Sequence, residues 1–123
     1  MEQASPRPHA FPASARIRRR PEFLRIYEHG ERIRARLFSV VVLPNTLGRS
    51  RLGIAATRKL GGAVVRNRAK RLVREVFRIG EVPQGLDIVV IPRPDMVNAD
   101  IQTIEAEFRN AMRRAGRARR AGR

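Results

Sequence analysis

Cysteine is missing from all 123 residues, which excludes a disulfide framework and any thiolate metal site. Tryptophan is also missing, tyrosine occurs once and histidine twice. So little aromatic surface weakens a membrane-surface role, because basic helices that lie on bilayers carry bulky aromatics opposite their charges. No apolar run approaches the about 18 residues of a membrane span, and the first residues lack the hydrophobic segment of a signal peptide. The expectation is a soluble, cytoplasmic protein with no membrane contact. Acids are scarce as well: 11 Asp and Glu stand against 27 Lys and Arg, a formal net charge of +16. Such an excess repels itself unless a polyanion is near. Lys59 and Lys70 are the only lysines, and arginine forks onto phosphate and stacks on bases as lysine cannot.

The length suits one compact domain. Residues 1–15, with Pro6, Pro8 and Pro12, read as a flexible tail, 16–115 as a single RNA-binding domain, and 116–123 as a basic C-terminal tail. Arg16, Arg18, Arg19 and Arg20 form a dense basic run at the start of the domain, suited to solvent or to phosphate. Pro21 opens a helix to His29, with Gly30 as its stop. A short strand over Glu31 to Ala35 fits the chain before two longer ones, Arg36 to Leu43 and Arg51 to Thr57, which the turn residues Asn45 to Ser50 should join as an antiparallel hairpin. Gly53, Ala55 and Thr57 then share one small-residue face, open to a ligand or to a closely packed helix. Val65, Ala69, Leu72, Val73 and Val76 mark the buried stripe of a helix from Ala63 to Arg78. Leu86 to Ile91 reads as a buried strand, and Asn98 as the cap of a last helix with Ile101, Ile104, Phe108, Met112 and Ala115 inward. The order α-β-β-β-α-β-α predicts an α+β fold, a small mixed sheet of about four strands packed with three helices.

On the central helix Arg66, Lys70, Arg74 and Arg78 climb one side in steps of four, and Arg68 and Arg71 flank the other with Asn67 between them. Only Glu75 interrupts this cationic rail, so alternating salt bridges cannot neutralise it; phosphates can. Thr57 to Gly62 bring Arg58, Lys59 and two glycines to the helix N-terminus, where free N–H groups favour anions, without the spacing of a Walker loop. Phe23 and Tyr27 lie four apart on helix one and Phe38 opens the first long strand; each suits the core, or unpaired bases if an edge is open.

Protein-borne catalysis has little to stand on. His9 lies in the tail and His29 ends a short helix. Glu105 and Glu107 point roughly 200° apart around a helix, so they cannot share an ion and are expected to offset nearby arginines or stay solvated. Asp87 and Asp95 bracket the last strand without a partner carboxylate and read as turn residues. No catalytic residue and no metal ligand is assigned to the protein.

The run from Arg58 to Glu75, centred on the triplet Arg66, Asn67, Arg68, closely resembles the signature of the protein subunit of bacterial ribonuclease P. Pro21 to Gly30 is similar to that family's first helix with its paired aromatics, and Asp87 to Arg93 looks like its last strand. The resemblance implies a ribonucleoprotein in which a catalytic RNA, holding magnesium, removes the 5′ leader from precursor tRNA; the protein binds no cofactor alone and has no obligatory protein partner. By the same resemblance Arg58, Lys59, Arg66, Asn67, Arg68, Lys70, Arg71 and Arg74 would face the catalytic RNA. Phe23, Tyr27, Arg36, Phe38, Val41 and Arg93 would belong to a cleft for the single-stranded leader, and the central helix would form a left-handed crossover between parallel strands, against the general rule of hand. Two positions depart from the family: Val41 stands where relatives often carry an aromatic, and Pro92 and Pro94 stiffen the flanks of Arg93. A ribosomal or other structural RNA-binding protein ranks second. A helix-turn-helix DNA binder lacks the upstream partner helix, and a stand-alone nuclease lacks carboxylates.

Overall fold

The computed structural model describes residues 15–80 and 82–121, with side chains described as far as Gly116. The N-terminal tail expected over 1–15 lies outside the described residues apart from Ala15. Seven principal elements follow: α1 (Arg20–His29), β1 (Glu31–Arg34), β2 (Phe38–Pro44), β3 (Arg51–Ile54), α2 (Ala63–Ile79), β4 (Leu86–Pro92) and α3 (Ile101–Ala121). Single 3-10 turns at Arg58–Leu60 and Pro94–Asn98 introduce α2 and α3. The expected α+β fold, three helices with a four-stranded mixed sheet, is present.

Alternation along the strands makes two cores. Phe38, Val40, Val42, Leu52, Ile88 and Val90 project to one face of the sheet, where α2 and α3 cover them with Val73, Val76, Ile104 and Phe108. Val41 and Val89 project to the other face, beneath α1, and close with Ile17 and Ile26 into a smaller cluster.

The strands lie in the order β1-β2-β4-β3, with β1–β2 and β2–β4 antiparallel and β3–β4 parallel. β2 and β3 therefore do not form the expected hairpin, because β4 inserts between them. Two-sided burial decides the placement: Val40 to Val42 and Ile88 to Val90 are apolar at every position, as interior strands require, whereas β3 offers Arg51 and Gly53 on one side and suits an edge. The turn residues are used in a wider connection. Asn45 donates from its side chain to Arg49 O, accepts from Leu47 N, and ties its own N–H to Gly85 O at 2.8 Å. The parallel pair β3–β4 is joined through α2, as the family resemblance implied.

Two ends differ from expectation. Asp100, not Asn98, caps α3, its Oδ1 accepting from Thr103 N at 2.8 Å. Asn98 instead closes the 3-10 turn that Pro94 begins and that buries Met96 and Val97. α3 also continues through Gly116 to Ala121, so the basic tail expected from Gly116 begins as helix.

Candidate nucleic-acid interface

α2 turns Ala69, Val73 and Val76 into the core and leaves Asn67, Arg68, Arg71 and Arg78 exposed, with Arg66, Lys70 and Arg74 half-buried. Two members of the basic triplet are pre-oriented by backbone carbonyls. Arg66 donates from NH1 to Gly61 O at 3.2 Å, and Arg68 from Nε to Val97 O at 3.0 Å. Each bond occupies one N–H of five, and the others remain for an external acceptor. Gly61 adopts φ +151°, in a backbone region that favours glycine, and a Cβ there would meet Val65 at 3.0 Å. Arg58 and Lys59 stand exposed on the turn before α2, whose first turn has no side-chain cap, and Val64 beside them is 83 % exposed. Glu75, the acid within the rail, pairs with Arg78 at 2.6 Å.

The rail does not end on α2. Lys70 and Arg74 reach a pocket of about 270 Å³ at the β3 edge, shared with Arg16, Arg18, Ile17, Phe23, Leu52 and Ile54. The segment before α1 comes here because Ile17 N donates to Leu52 O at 2.8 Å, extending the sheet past β3 by one bridge. Burial, and secondarily the neighbouring Arg16, hold the Arg74 guanidinium below its ordinary value. Arginine stays protonated under such a shift, so the crowding is a field that a phosphate would relieve. Arg16 and Arg18 were legible only as a basic run; their alternation with Ile17 was the available sign of an extended segment.

The residues assigned to a leader cleft divide between the two faces of the sheet. Phe23 and Tyr27 stay together on α1, ring centroids 6.3 Å apart at 53°, with Tyr27 38 % exposed. Burial pushes the Tyr27 hydroxyl up, partly offset by Arg32 on β1. Arg93 reaches the same face, its NH2 3.4 Å from Ser39 Oγ. Val41 lies on that face too, but 1 % exposed, beneath α1. Phe38 is misassigned: the pleat turns it to the opposite face, 1 % exposed, against Phe108 at 6.4 Å. Arg36 also leaves the cleft, pairing with Glu107 of α3 at 3.1 Å while Leu37 N donates to the same carboxylate. The small-residue face of β3 is covered, since the Phe23 ring and Ile17 lie over Gly53 and a Cβ there would meet Phe23 Cζ at 2.9 Å.

Asp87 is not a turn residue. On β4, and 1 % exposed, it receives Nε and NH2 of Arg51 at 2.9 and 2.8 Å and Nδ2 of Asn45 at 2.8 Å. Burial alone would raise its pKa, but the bonds from Arg51 and Asn45 outweigh burial and hold the carboxyl below its usual range. Arg51 is correspondingly raised, chiefly by that pairing, and it also donates to Glu22 of α1 at 3.1 Å. Two more carboxylates are paired with arginines, Glu105 with Arg109 and Glu107 with Arg36 as above. Among the described residues no three His, Cys, Asp or Glu converge to hold a metal ion, and no helix is long and apolar enough to cross a membrane.

The chain matches the Ribonuclease P family over residues 11–116. The ribonuclease P protein component of Thermotoga sp. (strain RQ2) is 41% identical over 111 residues, covering 85% of this chain and 95% of the relative. That of Desulfovibrio desulfuricans is 42% identical over 117 residues, covering 90% of each. Among solved structures, the ribonuclease P protein of Thermotoga maritima superposes with a TM-score of 0.73 at 39% identity, covering 80% of this chain and 96% of its own. The Staphylococcus aureus protein gives 0.71 at 32%, covering 82% and 94%. With its signature helix, its mixed sheet and these matches along most of its length, the chain belongs to the bacterial ribonuclease P protein family.

Proposed function

We propose that this chain is the protein component of a ribonuclease P ribonucleoprotein, acting in 5′ maturation of tRNA as an accessory to a catalytic RNA. One observation carries the reading furthest. Lys70 and Arg74 of the α2 rail open into the same pocket as Arg16, Arg18 and Phe23, so a surface suited to structured phosphates runs without a break into one suited to unpaired bases. Arg58, Lys59, Arg66, Asn67, Arg68 and Arg71 would contact the catalytic RNA. Phe23 and Tyr27, with Arg93 nearby, would hold the single-stranded leader of the precursor.

The chemistry in this reading belongs to magnesium held by RNA; on the protein, Asp87, Glu105 and Glu107 are each paired with an arginine. The protein contributes fixed positive charge where two phosphate backbones crowd, which lowers the magnesium concentration needed and favours precursor over mature tRNA. No further protein partner is required for this role, and the cytoplasm is its proposed compartment.

The test is cleavage of a precursor tRNA by the cognate catalytic RNA at low millimolar magnesium, with the protein, without it, and with the protein alone. Efficient cleavage at the mature 5′ end by the combination only is expected. No effect of the protein would favour a structural RNA-binding role elsewhere, and cleavage by the protein alone would overturn the assignment of chemistry to RNA.

A further inference from the structure

α1 has a small anchor. Ile26 is its buried residue, while Leu24, Arg25, Tyr27, Glu28 and His29 are exposed. Its first turn is fastened to β3 at two neighbouring points. Glu22 accepts from Arg51 NH1 at 3.1 Å, and the next residue, Phe23, lays its ring over Gly53, two positions along the same face of β3. Arg51 cannot follow a moving helix, because the buried Asp87 grips it through two bonds from the interior strand β4.

The charges around this fastening explain why an acid stands there. Arg18, Arg19, Arg20 and Arg25 surround Glu22 in sequence, and Arg25 is close enough to act on Asp87. Without Glu22, a cationic helix end would face Arg51 directly, and like charges at such range push apart.

We propose that Glu22 is a positioning residue: through Arg51 and Asp87 it fixes the height of α1 over the sheet, and so sets how well the Phe23–Tyr27 face accepts unpaired nucleotides. The inference rests on the leader reading above. It assigns to a side chain that touches no RNA a share in telling precursor from mature tRNA.

The experiment uses holoenzyme reconstituted with the cognate catalytic RNA and compares Glu22→Ala, Glu22→Asp and Phe23→Ala. Affinity for precursor and for mature tRNA, affinity of the protein for the catalytic RNA, and the urea midpoint are measured for each. Glu22→Ala should lower the precursor-over-mature preference about fivefold, the upper worth of a partly exposed ion pair. Binding to the catalytic RNA should stay near wild type, the urea midpoint should fall by no more than that ion pair is worth, and Glu22→Asp should recover part of the preference. If Phe23→Ala lowers the preference and Glu22→Ala does not, α1 is held without Glu22 and the inference fails alone. If Glu22→Ala weakens precursor, mature tRNA and catalytic RNA together, its role is only structural and the inference also fails. If neither variant changes the preference, the leader reading falls and takes the inference with it.

Discussion

Arg68 donates from Nε to the carbonyl oxygen of Val97, so a residue of the basic triplet on α2 also holds the turn that leads into α3. A guanidinium can serve both tasks at once, one N–H inward and the rest outward; an ammonium on a flexible stem has no such fork. Arg68→Ala should therefore weaken binding to the catalytic RNA about tenfold, the worth of a charge-assisted contact. Arg68→Lys should restore only part of this despite keeping the charge. Titration of labelled catalytic RNA with each variant checks it, and full recovery by lysine would show that charge alone matters.

Lys70 and Arg74 share the β3-edge pocket with Arg16 and Arg18, and each is expected to meet a phosphate. Replacing either by alanine should reduce the slope of log affinity against log salt by about 1 for the catalytic RNA or the precursor. An unchanged slope would mean that the residue meets no phosphate.

Asp87→Asn should cost about 3 kcal/mol of stability, because it leaves Arg51 half-buried beside an uncharged partner. The wild-type carboxyl is held below its usual range, so the unfolded chain takes up its proton first as pH falls. Its stabilising contribution is complete above the unfolded value of about 3.9 and is lost as pH drops through the lower folded value. Urea midpoints across acid pH should fall steeply for wild type and less so for Asp87→Asn.

Phe38→Ala and Phe23→Ala should separate cleanly. Phe38 is enclosed against Phe108 in the larger core, so its truncation should cost about 4 kcal/mol of folding stability and weaken every RNA interaction in proportion to the folded fraction. Phe23→Ala should act on precursor binding more than on mature tRNA. A selective precursor defect in Phe38→Ala, at undiminished stability, would return that ring to the cleft.

The division between these two phenylalanines shows where sequence reasoning stops. The stripe of α2 and the apolar runs of β2 and β4 follow from periods of 3.6 and 2, and those periods are local. The α2 rail was legible for the same reason, since charge and helical spacing together define a face. Phe38, Val41 and Arg36 were assigned through family likeness, and only the pleat decides that Phe38 and Val41, three apart, face opposite ways. Strand neighbours are non-local: Asn45 to Ser50 carry good turn chemistry, and nothing in those six residues reveals that β4, far along the chain, will come between the strands they connect. The Asp87–Arg51–Glu22 chain was hidden likewise, each member lying on a different element.

The interior place of β4 bears on the order in which the protein can form. The sheet's third member in space is its fourth strand in the chain, emerging from the ribosome after α2. Until residues 86–92 emerge, β3 is paired only through its single bridge to Arg16, Arg51 has no Asp87, and the apolar stripe of α2 lacks Ile88 and Val90 beneath it. The nascent chain thus displays its cationic helix before it can close its core, beside ribosomal RNA dense in phosphate. Late closure through distant contacts is slow, and a polyanion that engages α2 during the wait would act on a partly built domain.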